Sequence, residues 1–204
     1  MIVKFCGIRR EEDVEYCNIL RPTMIGLIFA NSPRKVEKDV AKRLLAMKNP
    51  SIKSVGVFKN QNYSEVLSIS KDLQLDFIQL HSSESIEFIT YLKSQGFKII
   101  KAVEVENMDD IERSKIYKDI ADFILLDRPK GKDVDIIKLA KNADFDFIIA
   151  GGITPENIEK YLALNPLGVD VSSGIETNGF KDFNKMKTIM EKLTKCKVGE
   201  VKNG

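Results

Sequence analysis

Histidine is almost missing from this chain: His81 is the single one in 204 residues. Cysteine is sparse too, with Cys6, Cys17 and Cys196 far apart. One imidazole and scattered thiols cannot supply the close ligand spacing of a tetrahedral metal site, so no metal is expected. An odd number of cysteines without framework spacing reads as reduced thiols, which fits a cytoplasmic setting. Net charge is nearly missing as well. Lys and Arg number 32 against 30 Asp and Glu, which leaves no field for nucleic acid or an anionic membrane. Long apolar runs are absent: nothing approaches the ~18 residues of a membrane span, and Lys4, Arg9 and Arg10 break any signal-like core near the start. What remains is 43% hydrophobic and 30% charged, an ordinary globular composition that excludes a disordered chain.

Short strand-like runs alternate with amphipathic segments from end to end. The strand candidates are 2–6 (IVKFC), 24–29, 52–58, 76–81, 97–103, 122–127, 146–150 and 168–172. Charge-rich segments such as 36–48, 85–96 and 156–165 lie between them and read as helices; in the last, Ile158, Tyr161, Leu162 and Asn165 follow helical spacing. Gly96 reads as a helix stop. Eight such units in 204 residues leave about 25 residues each, enough for a strand, a helix and two short loops. The expected architecture is a compact single-domain (β/α)8 TIM barrel. An open doubly wound sheet competes, but the GxGxxG turn expected after its first strand is missing. The domain is expected to span 1–204, with a frayed tail over 195–204.

Polar residues occupy the wrong face. If 2–6 is a strand, Lys4 and Cys6 share one side, and a barrel normally fills that side with Val, Ile and Leu. Gln79 and His81 share a face on the fourth strand, Lys101 lies on the fifth, Asp127 ends the sixth, and Asp170 with Ser172 ends the eighth. Most sit at C-terminal strand ends, where barrel enzymes build their sites. Lys4, one strand repeat from Cys6 at about 6.7 Å, is expected to bias the thiol toward its basic form.

Two loops carry anion-binding chemistry. After the seventh strand, Gly151 and Gly152 allow close backbone approach, and Thr154-Pro155 reads as an N-cap and first helical residue. After the eighth come Ser172, Ser173 and Gly174. Loops in these two positions commonly make a phosphate site.

KFCG at the start, FANSPR after the second strand, QLH, LLD, GGITPENI and DVSSGIE together resemble phosphoribosylanthranilate isomerases of the tryptophan pathway. The motifs run in order over nearly the whole chain. The resemblance implies a barrel that performs an Amadori rearrangement of a small-molecule substrate, N-(5-phosphoribosyl)anthranilate, without metal or cofactor. It implies Cys6 as general base, Asp127 as general acid, and Arg34 of SPR at the anthranilate carboxylate. It also implies Gly151, Gly152, Ser172, Ser173 and Gly174 as the phosphate segments; Gln79, His81 and Asp170 are expected beside the substrate. The chain departs from the family at LLDRPKGKDVDII, where a longer glycine-rich loop is usual, at Ser82, and at Asn178-Gly179 in place of Pro-Gly.

Alternatives stay open at this level. Another ribose-phosphate barrel, an epimerase or the histidine-pathway isomerase, would want histidines or an aspartate where Cys6 stands. A non-catalytic phosphate-ligand sensor would keep the two loops without turnover. The sequence leaves the oligomeric state undefined.

Overall fold

Ile2–Cys6 forms β1, and seven further strands follow it in parallel: β2 (Met24–Ile28), β3 (Lys53–Phe58), β4 (Phe77–Leu80), β5 (Lys98–Glu104), β6 (Phe123–Asp127), β7 (Ile148–Ile149) and β8 (Gly168–Val171). Each pairs with the next, and β1 closes on β8 through Lys4 opposite Asp170, so the sheet is a closed barrel. In this computed structural model the described residues are 1–200, with side chains described up to residue 195; of the tail expected to fray, 195–204, residues 201–204 lie outside them.

The helices are α1 (Glu11–Leu20), α2 (Lys38–Met47), α3 (Tyr63–Asp72), α4 (Ile86–Ser94), α5 (Met108–Ser114), α6 (Ile136–Ala140), α7 (Ile158–Leu162) and α8 (Phe183–Glu200). Their starts are chemically marked. Asn62 accepts from Glu65 N to open α3, Ser85 from Phe88 N to open α4, and Asp135 from Lys138 N to open α6; each satisfies an amide the helix cannot. Gly96, with φ +88°, ends the α4 segment as expected.

Two apolar layers hold the fold. The outer one lies between sheet and helices and includes Phe5, Ile25, Leu27, Leu44, Phe88, Ile99, Ile124 and Ile149. The inner one fills the barrel with Met24, Val55, Val57, Phe77, Ile100, Ala102, Leu125, Ile148 and Ala150. Strands buried on both faces read as continuous apolar runs, which makes them visible in sequence while hiding their phase.

A small antiparallel hairpin follows β8: β9 (Glu176–Thr177) and β10 (Phe180–Lys181), with Lys181 opposite Glu176. Its turn is Asn178-Gly179, at φ 53° and 79°. A two-residue hairpin with both central φ positive favours Asn-Gly, which accounts for the departure from Pro-Gly. Among the described residues no helix is long and apolar enough to cross a membrane.

Candidate active site

Four strands deliver the polar side chains to the C-terminal mouth. On β1, Lys4 and Cys6 point inward as their phase requires, and both are buried. Lys4 Nζ donates to Asp170 Oδ2 at 2.8 Å across the β1–β8 seam. A fully buried ammonium survives only with such a partner; burial loosens the Lys4 proton, but Asp170 and Cys6 together outweigh it and the net direction is up. Burial pushes the Cys6 thiol up, Lys4 pulls it down, Asp170 pushes it up again, and the net direction is up. The bias expected from Lys4 therefore acts in the right direction but does not prevail.

Across the mouth, β4 carries Gln79 with His81 one residue past its end, and β6 ends in Asp127. His81 Nε2 stands 3.3 Å from Asp127 Oδ2 without the alignment of a hydrogen bond, and the two side chains are 19% and 21% exposed, open enough to meet a ligand. Three buried polar atoms here lack a hydrogen-bond partner among the described residues: Gln79 Oε1, His81 Nε2 and Asp170 Oδ1. An unmet buried polar atom costs about 1–3 kcal/mol, so three around one mouth mark a place shaped for something polar.

Arg34 enters from the loop after β2. Its Cδ lies where a Cβ on Gly7 would come within 2.6 Å, so the glycine of KFCG clears its path. Glu176 takes the guanidinium in a two-pronged contact, Nε to Oε1 and Nη2 to Oε2, each 2.7 Å. Lys181 Nζ reaches the same Oε1 at 2.8 Å and the Ser172 carbonyl at 3.0 Å. Burial pushes Glu176 up, but Arg34 and Lys181 outweigh it and hold the carboxyl below its usual range.

The two glycine loops lie against each other. A Cβ on Gly174 would fall 1.8 Å from the Ile153 carbonyl oxygen, so only glycine permits this approach. Gly151 and Gly152 have φ +94° and +80°. Their carbonyls are tied down, Gly151 O by Tyr161 Oη at 2.8 Å and Gly152 O by Asn157 Nδ2 at 2.9 Å. Ser172 Oγ donates to the Cys6 carbonyl at 3.1 Å, joining the β8 loop to β1. Ser173 stands exposed at the rim.

Three expectations are corrected. Lys101 does not share the inward face: Ile100 and Ala102 do. Lys101 points into the helical layer, where its buried ammonium pairs with Glu84 at 2.9 Å and donates to the Ser82 carbonyl. Thr154-Pro155 does not open a helix directly; it starts a turn, Thr154 N donating to Asn157 Oδ1 at 2.8 Å, and Asn157 is the N-cap of α7. Asn165 lies beyond α7 in a left-handed conformation at φ 50° and is exposed, so it leaves the apolar stripe of Ile158, Tyr161 and Leu162.

Sequence reading missed Glu176 and Lys181, although the Asn-Gly between them is a hairpin signal. It also missed Gly26 of β2, where a Cβ would stand 2.9 Å from Cys6 Sγ, and Arg128, whose guanidinium lies against Gly152. In the shortened loop Lys132 pairs with Glu106 on the surface at 2.5 Å. A cleft of about 550 Å³ bordered by Lys118, Phe123, Asp146 and Leu167 opens at the other end of the barrel, the end that such folds keep for stability. Among the described residues no group of three or more His, Cys, Asp or Glu is arranged for a metal ion.

Fold and site together define a (β/α)8-barrel enzyme with thiol, carboxyl and imidazole gathered at its C-terminal mouth. The model of the N-(5′-phosphoribosyl)anthranilate isomerase family matches residues 3–192. The chain is 41% identical to the N-(5′-phosphoribosyl)anthranilate isomerase of Clostridium acetobutylicum, over 96% of this chain and 98% of that one, and 42% identical to that of Clostridium kluyveri with the same coverage. Among solved structures, the phosphoribosyl anthranilate isomerase of Thermotoga maritima superposes with a TM-score of 0.85 at 31% identity, covering 96% of this chain and all of that one. A second, in complex with reduced 1-(o-carboxyphenylamino)-1-deoxyribulose 5-phosphate, gives 0.84 at 31% over the same shares. The chain belongs to the N-(5′-phosphoribosyl)anthranilate isomerase family, and it is an isomerase of that kind.

Proposed function

We propose that this chain converts N-(5-phosphoribosyl)anthranilate to 1-(2-carboxyphenylamino)-1-deoxyribulose 5-phosphate in tryptophan biosynthesis, with Cys6 as general base and Asp127 as general acid. The observation that carries the reading is a thiol on β1 and a carboxyl on β6 at inward strand-end positions of one mouth, with two glycine loops beside them.

The chemistry needs one proton given and one taken across the sugar. Asp127 hands its proton to the ring oxygen as the C1′–O bond breaks, and the nitrogen lone pair forms the iminium. Cys6, as thiolate, removes the C2′ proton, and the C2′–H electrons flow to the iminium nitrogen to give the enolamine. Proton return at C1′ from the Cys6 thiol, with loss of the 2′-hydroxyl proton to the Asp127 carboxylate, leaves the ketone and restores both groups. Lys4 and Lys181 are the cations that draw the thiol toward its anionic form.

Binding comes from the two ends of the substrate. Gly151, Gly152, Ser172, Ser173 and Gly174 take the phosphate, aided by the tied-back carbonyls of the two glycines. Arg34 takes the anthranilate carboxylate, exchanging part of its hold on Glu176. Gln79, His81 and Asp170 offer their unmet atoms to the sugar hydroxyls and the bridging nitrogen. Remote contacts of this kind hold the reacting carbons between acid and base.

The test is the loss of anthranilate-type fluorescence when the protein meets freshly made phosphoribosylanthranilate. Turnover at catalytic protein concentration is expected; a signal that decays no faster than the buffer control refutes the assignment.

A further inference from the structure

Lys181 is 4% exposed, yet it lies on a two-residue strand of a surface hairpin. Its stem is carried inward because the Asn178-Gly179 turn sets β10 in register with β9 and brings Lys181 opposite Glu176. The ammonium has two acceptors, Glu176 Oε1 at 2.8 Å and Ser172 O at 3.0 Å. From Ser172 one further hydrogen bond, Oγ to the Cys6 carbonyl at 3.1 Å, reaches the base. From Glu176 the two 2.7 Å contacts reach Arg34. A single buried cation thus touches both the carboxylate that aims Arg34 and the loop that abuts Cys6.

We propose that Lys181 is a positioning residue of this active site: it fixes Glu176, and through it the Arg34 fork, while its ammonium supports the anionic form of the Cys6 thiol. The inference deepens the functional reading above and rests on it for the roles of Arg34 and Cys6.

The charges facing the thiol can be enumerated. Lys4 lies on its own strand, Asp170 on β8, Lys181 on β10 and Arg34 on the loop after β2. Asp127 and His81 stand across the mouth, coupled to Asp170. Lys4 pulls the thiol down most strongly, but it also pairs with Asp170, which pushes the thiol back up. Glu176 holds one charge against two, Arg34 and Lys181, so this trio keeps an excess positive charge within electrostatic reach of the thiol. Burial lowers Lys181's own hold on its proton, and Glu176 counters that loss. The arrangement places a cation where a thiolate and a substrate carboxylate both benefit.

The experiment compares wild type, Lys181→Met and Lys181→Arg in the full chain. Iodoacetamide reactivity is followed against pH at the Cys6 peptide by mass spectrometry, which separates Cys6 from Cys17 and Cys196. With the charge removed, the reactivity midpoint moves to higher pH and alkylation at neutral pH slows about fivefold. Lys181→Arg keeps the charge and returns most of the rate. In steady state Lys181→Met moves the acidic limb of kcat/KM to higher pH, and Glu176→Gln raises KM more than it lowers kcat.

A Lys181→Met protein with wild-type circular dichroism and a wild-type alkylation profile overturns the proposal. Should that variant fail to fold, Lys181→Gln, which keeps a donor without the charge, carries the same comparison. Alkylation requires no turnover, so its outcome stands apart from the fluorescence assay. An inactive wild type refutes the function, whereas an active wild type with an unmoved thiol in the variant refutes only the role of Lys181.

Discussion

Gly26 holds an inward position on β2 opposite Cys6, and the lack of a side chain there is what admits the thiol. A Cβ would stand 2.9 Å from Cys6 Sγ, close enough that something must shift, and a tight 3.2 Å from Lys4 Nζ. Gly26→Ala is therefore expected to turn the thiol from its line and lower kcat about tenfold or more, since small misplacements of a reacting group are costly. Steady-state fluorescence kinetics check this, with kcat equal to wild type as the opposing result. Direct removal is harsher. Cys6→Ala and Asp127→Asn should each lose roughly 10²–10⁴ in kcat, the usual worth of a proton-transfer group. Because Cys6 is pushed up by burial, the sign of its pH dependence is fixed. A base must be deprotonated, so kcat/KM should climb with pH on the alkaline side of neutrality; a profile that falls through that range would assign the base elsewhere.

At the scale of elements, the eight strands are legible because each is a short apolar run bounded by polar loops, and all eight are observed near the positions read. Their phase is legible only where polar residues alternate. On β1 the pair Lys4 and Cys6 sets the face, whereas on β5 Lys101 has apolar neighbours on both faces, Ile99 on its own and Ile100 with Ala102 on the other, and the sequence reading places Lys101 one residue out of phase. Its true side is set by Glu84 and the Ser82 carbonyl on the β4–α4 loop, partners that adjacency in sequence does not reveal. The site divides the same way. Cys6, Asp127, His81 and Asp170 stand out as polar groups at strand ends, but Glu176 and Lys181 belong to a hairpin whose role depends on Arg34, 142 residues from Glu176 in the chain. Contact between the β7 and β8 loops is equally hidden, and it yields its own test. Gly174→Ala puts a Cβ 1.8 Å from the Ile153 carbonyl oxygen and must push the loops apart. The expected result is a KM raised about tenfold or more with a smaller change in kcat, since the phosphate contacts serve binding. A variant with wild-type KM would remove these loops from phosphate recognition.

For the whole molecule, closure of the barrel and attachment of its last helix depend on carboxylates that work only when charged. Asp76 accepts from Ser54 N at 2.8 Å and Lys53 Nζ at 2.8 Å, pinning β4's start to β3. Asp110 accepts from Glu106 N and Asn107 N ahead of α5, and Asp182 accepts from Thr177 Oγ1, Asn184 N and Lys185 N ahead of α8. Burial pushes Asp76, Asp110 and Glu176 up, but their donors outweigh it, and Thr177 with the two amides lowers Asp182; all four end below the usual carboxylate range. A carboxyl lowered by folding contributes stability that is whole above its unfolded pKa, near 4, and is lost as pH falls through the folded value. Asp170 runs the other way, raised by burial, and one group opposes four. The melting temperature should therefore hold level from pH 7 to about 5 and drop progressively below about 4. Asp76→Asn should lower it at pH 7 and shrink the difference from wild type at pH 3, where the native carboxyl has also begun to lose its charge. Circular dichroism melts across that range decide the matter: a melting temperature that stays flat or rises toward pH 3 would mean that these four carboxylates do not govern how the barrel fails in acid.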